Sequence, residues 1–165
     1  MIMMDKDSVI DILKKAKNLR VDVWIDGGWG VDALLGRQTR EHDDIDIFVQ
    51  KKDDKAFNEM LRLNGYREIE MEYTTNDHTG WRNLDNCIID LHLFEFIEAG
   101  RLRFDNAIYH SDALNGKGVI GEIAVRCLTA EAQILYHQGY EQKEKDRHDV
   151  LLLCETFGFS IPEEY

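Results

Sequence analysis

The sequence has a single proline, Pro162, in 165 residues, and no stretch rich in proline, glycine or serine. A flexible linker between independent domains is therefore not expected, nor is a low-complexity segment. Cysteine is scarce: Cys87, Cys127 and Cys154 form no CxxC pair. The stretch from Met1 to Asp7 has no long apolar run of the secretory kind. An odd number of cysteines without such a signal argues for reduced thiols and a cytoplasmic protein. No window reaches the length of a membrane span, so no membrane partner is expected. Basic residues are also short, 20 against 32 acidic ones, for a formal charge of −12. Such a surface repels phosphate backbones, which argues against a nucleic-acid partner. It would attract a cationic small molecule, or it serves only solubility.

What remains is ordinary for a globular chain, with 44 % hydrophobic and 32 % charged residues. The length suits one domain spanning 1–165, with an α/β part over residues 1–97 and a C-terminal part over 98–165. Asp7 or Ser8 is placed to cap a helix to Asn18, with Val9, Ile12, Leu13 and Ala16 on one face. Val21, Val23 and Ile25 alternate as a short strand, which Gly27-Gly28 breaks. Trp29 to Leu35 reads as a helix stopped by Gly36. Asp44 to Val49 reads as a strand and Asp53 to Asn64 as an amphipathic helix. Tyr66 to Met71 is strand-like, and Thr74 to Gly80 turn-like. Cys87 to Phe96 is strongly strand-like. Gly100 to Gly121 reads as a hairpin-rich excursion and Ile123 to Cys127 as a strand. Helices follow from the Thr129 cap to Gln138 and within Glu141 to Phe157. The order predicts an α+β fold with a mixed sheet.

Three features in this pattern suit phosphoryl chemistry. A glycine pair before a helix, Gly27-Gly28, lets backbone N–H groups and the positive helix end approach a phosphate. Asp44 and Asp46 are two apart on a strand, so both carboxylates face one way, about 7 Å apart at Cα. Hard oxygen ligands at that spacing suit one or two magnesium ions. Asp90 is an acid in a segment otherwise built for burial, and it shares a face with His92, opposite Ile89 and Leu91. A buried carboxylate is costly unless paired or metal-bound. Three acids on neighbouring strands frame two-metal phosphoryl transfer, with Asp90 as third ligand or as the base that takes a hydroxyl proton. Arg40 and His42 precede the acids and are placed to touch phosphate or substrate. Asp43 points the other way.

The run DGGWGVDALLGRQTREHDDIDIFV, Asp26 to Val49, resembles antibiotic nucleotidyltransferases of the DNA polymerase β-like superfamily. It is most similar to the small lincosamide nucleotidyltransferases and less so to the aminoglycoside 2''-adenylyltransferases. The likeness continues through Ile89 to His92, Gly116 to Cys127, and HQGY to the C-terminus. It implies the nucleotidyltransferase fold, a mixed sheet flanked by helices with a helical C-terminal region. It implies transfer of a nucleoside monophosphate, AMP from ATP, to a lincosamide hydroxyl with magnesium, two ions in all. By carry-over, Gly27 and Gly28 hold the triphosphate, with Arg40 and Lys145 as further phosphate contacts. Asp44 and Asp46 ligate magnesium, and Asp90 is the third carboxylate and candidate base. Fifteen residues separate Gly28 from Asp44, more than in the general superfamily pattern.

Other residues are open in role. Tyr140 is placed to stack on a base or line the site. Asp146 and Asp149 cap the last helix or pair with Arg147. Trp29 packs in the core or beneath the glycines, and Trp81 is a candidate substrate contact. Glu70, Glu72 and Asp77 are candidates to meet a cationic amine. The alternatives to a lincosamide acceptor are an aminoglycoside, favoured by the acidic charge, a protein acceptor, and a module that binds nucleotide or a partner without catalysis. A homodimer is compatible with the pattern.

Overall fold

The computed structural model describes residues 3–165. Helix α1, Lys6–Asn18, starts where the Asp5 carboxylate accepts the Ser8 N–H at 2.8 Å, so the cap lies two or three residues before the expected Asp7 or Ser8. Its Val9, Ile12 and Ala16 are buried. The chain then forms β1, Val23–Asp26, and passes directly into α2, Gly27–Leu35. The glycine pair opens the helix rather than lying ahead of it, because Asp26 serves as its cap and accepts the Gly27 N–H. Strand β2, Asp44–Gln50, leads through a 3₁₀ turn at Lys51–Asp53 into α3, Asp54–Leu63, which buries Phe57, Met60 and Leu61.

Next come β3, Arg67–Ile69, β4, His78–Arg82, and the long β5, Ile88–Ile97. Strand β4 replaces the second half of the expected turn. Its five residues pair with the far side of β5, which buries Trp81 and satisfies backbone groups that a turn would leave open. The excursion resolves into a hairpin, β6 Arg101–Phe104 and β7 Ala107–His110, a 3₁₀ turn at Ser111–Leu114, and β8, Gly116–Ile120. Strand β9, Ile123–Cys127, and helices α4, Ala130–Tyr136, and α5, Glu144–Phe157, complete the chain.

The sheet order is β3-β4-β5-β2-β1-β9-β8, with the β6–β7 hairpin extending from β5. Pairings β2–β5 and β1–β9 are parallel, and β1–β2, β4–β5 and β8–β9 antiparallel, so the sheet is mixed. Strands β8 and β9 from the C-terminal part thus continue the sheet of the first part. One sheet face carries Ile25, Ile45, Ile47, Val49, Ile89 and Leu91, all sealed by α1 and α3. The opposite face carries the acids and, beyond them, an aromatic cluster around Trp24, Phe48 and Phe94. Helices α2, α4 and α5 pack on one another through Val31, Ile134, Val150 and Leu153.

Strand β8 runs against α2 so closely that a Cβ at Gly118 would be driven into the Ala33 backbone. Neither element can yield without opening the sheet edge. Gly118→Ala is expected to cost about 1–3 kcal/mol, read as a fall in Tm of roughly 3–10 °C. An unchanged Tm would show that the β8–α2 seam is loose.

Candidate active site

Backbone register builds the site. Asp26 on β1 pairs with Asp46 on β2, and Asp46 pairs with Asp90 on β5. Residues paired across neighbouring strands point to the same face, with strands about 4.8 Å apart. Three carboxylates therefore form a row across three strands, and Asp44 joins them two residues along β2. Ile45 and Ile47 alternate with Asp44 and Asp46 and are buried in the opposite core, as their spacing predicts. The two acids of β2 and Asp90 thus lie on one sheet face. Asp26 was not singled out from the sequence, although it alternates with Trp24 on β1 and so follows the same two-residue rule.

The N-terminus of α2 ends on this row. Gly27 adopts φ +63°, and a Cβ there would fall on the Asp46 carboxylate. A Cβ at Gly28 would fall on the Arg40 guanidinium and the His42 ring. The glycines thereby let two layers of side chains close around the helix start, and the positive helix end faces the acids.

Crowded carboxylates repel, and burial sharpens the repulsion. Burial first, then the Asp44 charge, raises the Asp46 carboxyl to about 7, while Lys145, His137 and Arg40 pull it down. Burial and then Asp46 raise Asp90 to about 6, opposed by a hydrogen bond from Tyr73. Burial and Asp46 likewise raise Asp26. Lys145 is exposed on the first turn of α5, yet its charge bears on Asp46, which places it at the rim of the site.

A stack of rings lines the row. Tyr73 lies on His78 (4.4 Å between centroids), His78 on His92 (4.1 Å) and His92 on Phe48 (4.5 Å). The Tyr73 hydroxyl donates to Asp90, and His92 Nε2 lies 3.2 Å from Asp46 Oδ1. Burial depresses both imidazoles, His78 to about 4, so the stack is held neutral. Neither Tyr73 nor His78 carries a sequence signal, because β4 is recruited only by pairing with β5.

The loop before β2 is strapped from beneath. Asp32 on α2 accepts from the Thr39 N–H and hydroxyl and lies 2.5 Å from His42 Nε2. Arg40 makes a two-pronged pair with Asp149 of α5 at 2.9 and 2.7 Å, and its third nitrogen donates to the Glu41 carbonyl. Asp149 thus pairs with Arg40 rather than Arg147, while Asp146 accepts the Lys143 N–H at the start of α5. Trp29 is buried against His42. Trp81 is fully buried on the opposite sheet face, so it cannot meet substrate: its position two residues from Thr79 on β4 turns it to the core. Asp77 is engaged by Lys51 at 3.0 Å.

Among the described residues, no three His, Cys, Asp or Glu side chains stand close enough to hold one ion. Asp44, Asp46 and Asp90 therefore do not form a closed three-ligand cage as they stand, since Asp90 is turned to Tyr73 and Asp46 to His92. Beside the row, a cleft of about 250 Å³ runs over the same face. Asp26 and His92 stand at its polar end, and Phe48, Leu102, Phe104, Tyr109, Ala113, Leu114, Leu128 and Tyr136 form its walls. No helix of the described residues is long and apolar enough to cross a membrane.

A mixed sheet with acids in register across three strands, under a glycine-opened helix, is the architecture of a nucleotidyltransferase. The structure matches that of the lincosamide antibiotic adenylyltransferase LnuA, solved with lincomycin bound, with a TM-score of 0.79 and 25 % identity over 94 % of this chain and 98 % of that one. The family model for aminoglycoside-2''-adenylyltransferase matches residues 8–153. A lincosamide resistance protein of Staphylococcus haemolyticus is 32 % identical over 143 residues, 84 % of this chain and 88 % of that protein. A 2''-aminoglycoside nucleotidyltransferase of Escherichia coli is 56 % identical over 59 residues, 36 % of this chain and 33 % of that protein. The chain belongs to this family of antibiotic nucleotidyltransferases.

The raised Asp46 carboxyl makes a stability prediction. Its folded value, about 7, lies above the ordinary 3.8, so ionisation costs the folded state stability as pH rises through that window. Asp46→Asn removes the cost. It is expected to stabilise the metal-free protein at pH 8 by about 1–3 kcal/mol, less than the full shift implies because the side chain is 27 % exposed. The gain should shrink as pH falls from 7 towards 4. Denaturant titrations at pH 8 and 5 check this, and a loss of stability at both would give Asp46 a structural role.

Proposed function

We propose that the protein transfers AMP from ATP to a hydroxyl of a lincosamide and so inactivates the drug. The observation that carries this reading is the row Asp26–Asp46–Asp90, with Asp44 beside it, at the mouth of an apolar cleft. The extended likeness to a lincosamide resistance protein supports the acceptor class.

The residues fit magnesium. Asp46 and Asp90 are hard oxygen donors whose raised carboxyl values mark a place short of positive charge. Asp44 and Asp46 would hold the ion, with Asp90 nearby, and bound phosphates and water would fill the remaining positions. Bound magnesium would neutralise the triphosphate and the departing pyrophosphate. The chain's own groups do the rest. The start of α2 at Gly27 and Gly28 directs N–H groups and the helix dipole at phosphate. Lys145 adds an exposed positive charge at the rim. Arg40, held by Asp149, acts through its field and by fixing the loop. Asp90 takes the proton of the acceptor hydroxyl as its oxygen bonds to the α-phosphorus and pyrophosphate leaves. Its raised value suits a base working near neutrality.

An aminoglycoside acceptor is the second reading, favoured by the charge of −12 and by the family model. The cleft walls weigh against it, since a polycation gains little from leucine and aromatic surface.

Mass spectrometry of a reaction containing magnesium, the four nucleoside triphosphates and a pool of both drug classes separates the readings. A gain of one AMP on a lincosamide is expected. A gain on an aminoglycoside alone selects the second reading, and no gain on any drug removes both. Asp90→Asn should retain nucleotide binding and lower kcat by roughly 10²–10⁴-fold. Unchanged turnover would take Asp90 out of the chemistry.

A further inference from the structure

Asp26 stands between the acid row and the apolar cleft. One of its oxygens is committed to the Gly27 N–H at 2.7 Å as the cap of α2. No other hydrogen bond to the carboxylate is made among the described residues. The cleft it lines has no lysine or arginine in its walls, which are instead built by residues such as Leu102, Phe104, Tyr109 and Leu114. His92 shares this polar end, is 8 % exposed, and leaves Nδ1 without a partner. A carboxylate facing an apolar cavity, with half its acceptor capacity unused and no cationic side chain in the walls, is incompletely compensated. A cation bound in the cleft would add to that compensation from the apolar side.

We propose that Asp26 is the specificity group for the acceptor: the cleft takes an amphipathic molecule with one amine, whose apolar part lies on the walls and whose ammonium pairs with Asp26. This rests on the reading that the acceptor enters the cleft beside Asp90. One carboxylate in apolar walls selects a single cation with hydrocarbon around it. A polycation would need several such groups and would strand its other charges on leucine and phenylalanine. The same pairing brings the acceptor to the residue in register with Asp46, with β2 between it and Asp90.

Asp26→Asn tests this directly. Asparagine caps a helix about as well as aspartate, so the start of α2 is kept while the charge is lost. Equilibrium binding would be measured without nucleotide for a lincosamide with a secondary amine and for its neutral N-acetyl derivative. Wild type should prefer the amine. Asp26→Asn should weaken the amine about tenfold and leave the N-acetyl form within about twofold. Wild type that binds both forms equally, or neither, overturns the inference, as does a variant that loses both forms alike or neither. Weakened magnesium–ATP binding with unchanged drug binding also overturns it, by assigning Asp26 to the metal. Turnover is scored separately. A lincosamide adenylylated without any preference for the amine form sinks this inference alone, and amine-selective binding without adenylylation sinks only the proposed reaction.

Discussion

Everything around the acid row answers one constraint: like charges held within a strand spacing of one another on a partly dry sheet face. Hydrogen-bond register brings Asp26, Asp46 and Asp90 together, and register cannot relax without breaking the sheet. The fold meets that cost locally. The start of α2 turns its positive end to the row, Tyr73 donates to Asp90, and Lys145, Arg40 and His137 partly offset the negative charge at Asp46. None of these neutralises the row completely, as the raised carboxyls of Asp46 and Asp90 show. Carboxylates crowded in this way would be relieved by added positive charge.

The strap beneath the site follows from the same constraint. An arginine close to a carboxylate row would be drawn into it if left free. Instead Asp149 holds Arg40 by two hydrogen bonds, and Asp32 and His42 brace the loop from α2. The guanidinium therefore contributes its field to Asp46 while tied to Asp149. Gly28 makes this possible, because a side chain there would displace both Arg40 and His42. The strap also ties α5 to the N-terminal half, so the C-terminal helices help to order the loop before β2.

The two halves of the face that carries the row differ in chemistry. The acid row is polar and charged, and the cleft beside it is walled by leucine and aromatic rings. Asp26 and His92 belong to both. The charged and the apolar halves meet on one sheet face.

Much of this was legible in the chain by itself, because local rules decide it. Two-residue alternation put Asp44 with Asp46 and Asp90 with His92, and set Ile45, Ile47, Ile89 and Leu91 against them. Helical periodicity located α1, α3 and α5, and the run from Asp26 to Val49 pointed to the family. What the sequence could not supply was anything set by pairing between distant segments. The alignment of Asp26 with Asp46 depends on β1–β2 register, and β4, with Trp81 turned inward and His78 in the ring stack, exists only because β5 offers an edge. The partner of Arg40 lies 109 residues away on α5, where nearest-neighbour charge reasoning pointed to Arg147 instead. The cleft is assembled from β1, β2, β5, β6, β7, α4 and intervening loops, so its apolar walls appear only when those pieces meet. Side-chain direction is written in backbone period, but which directions converge is decided by long-range hydrogen bonding and burial, and these belong to the folded chain.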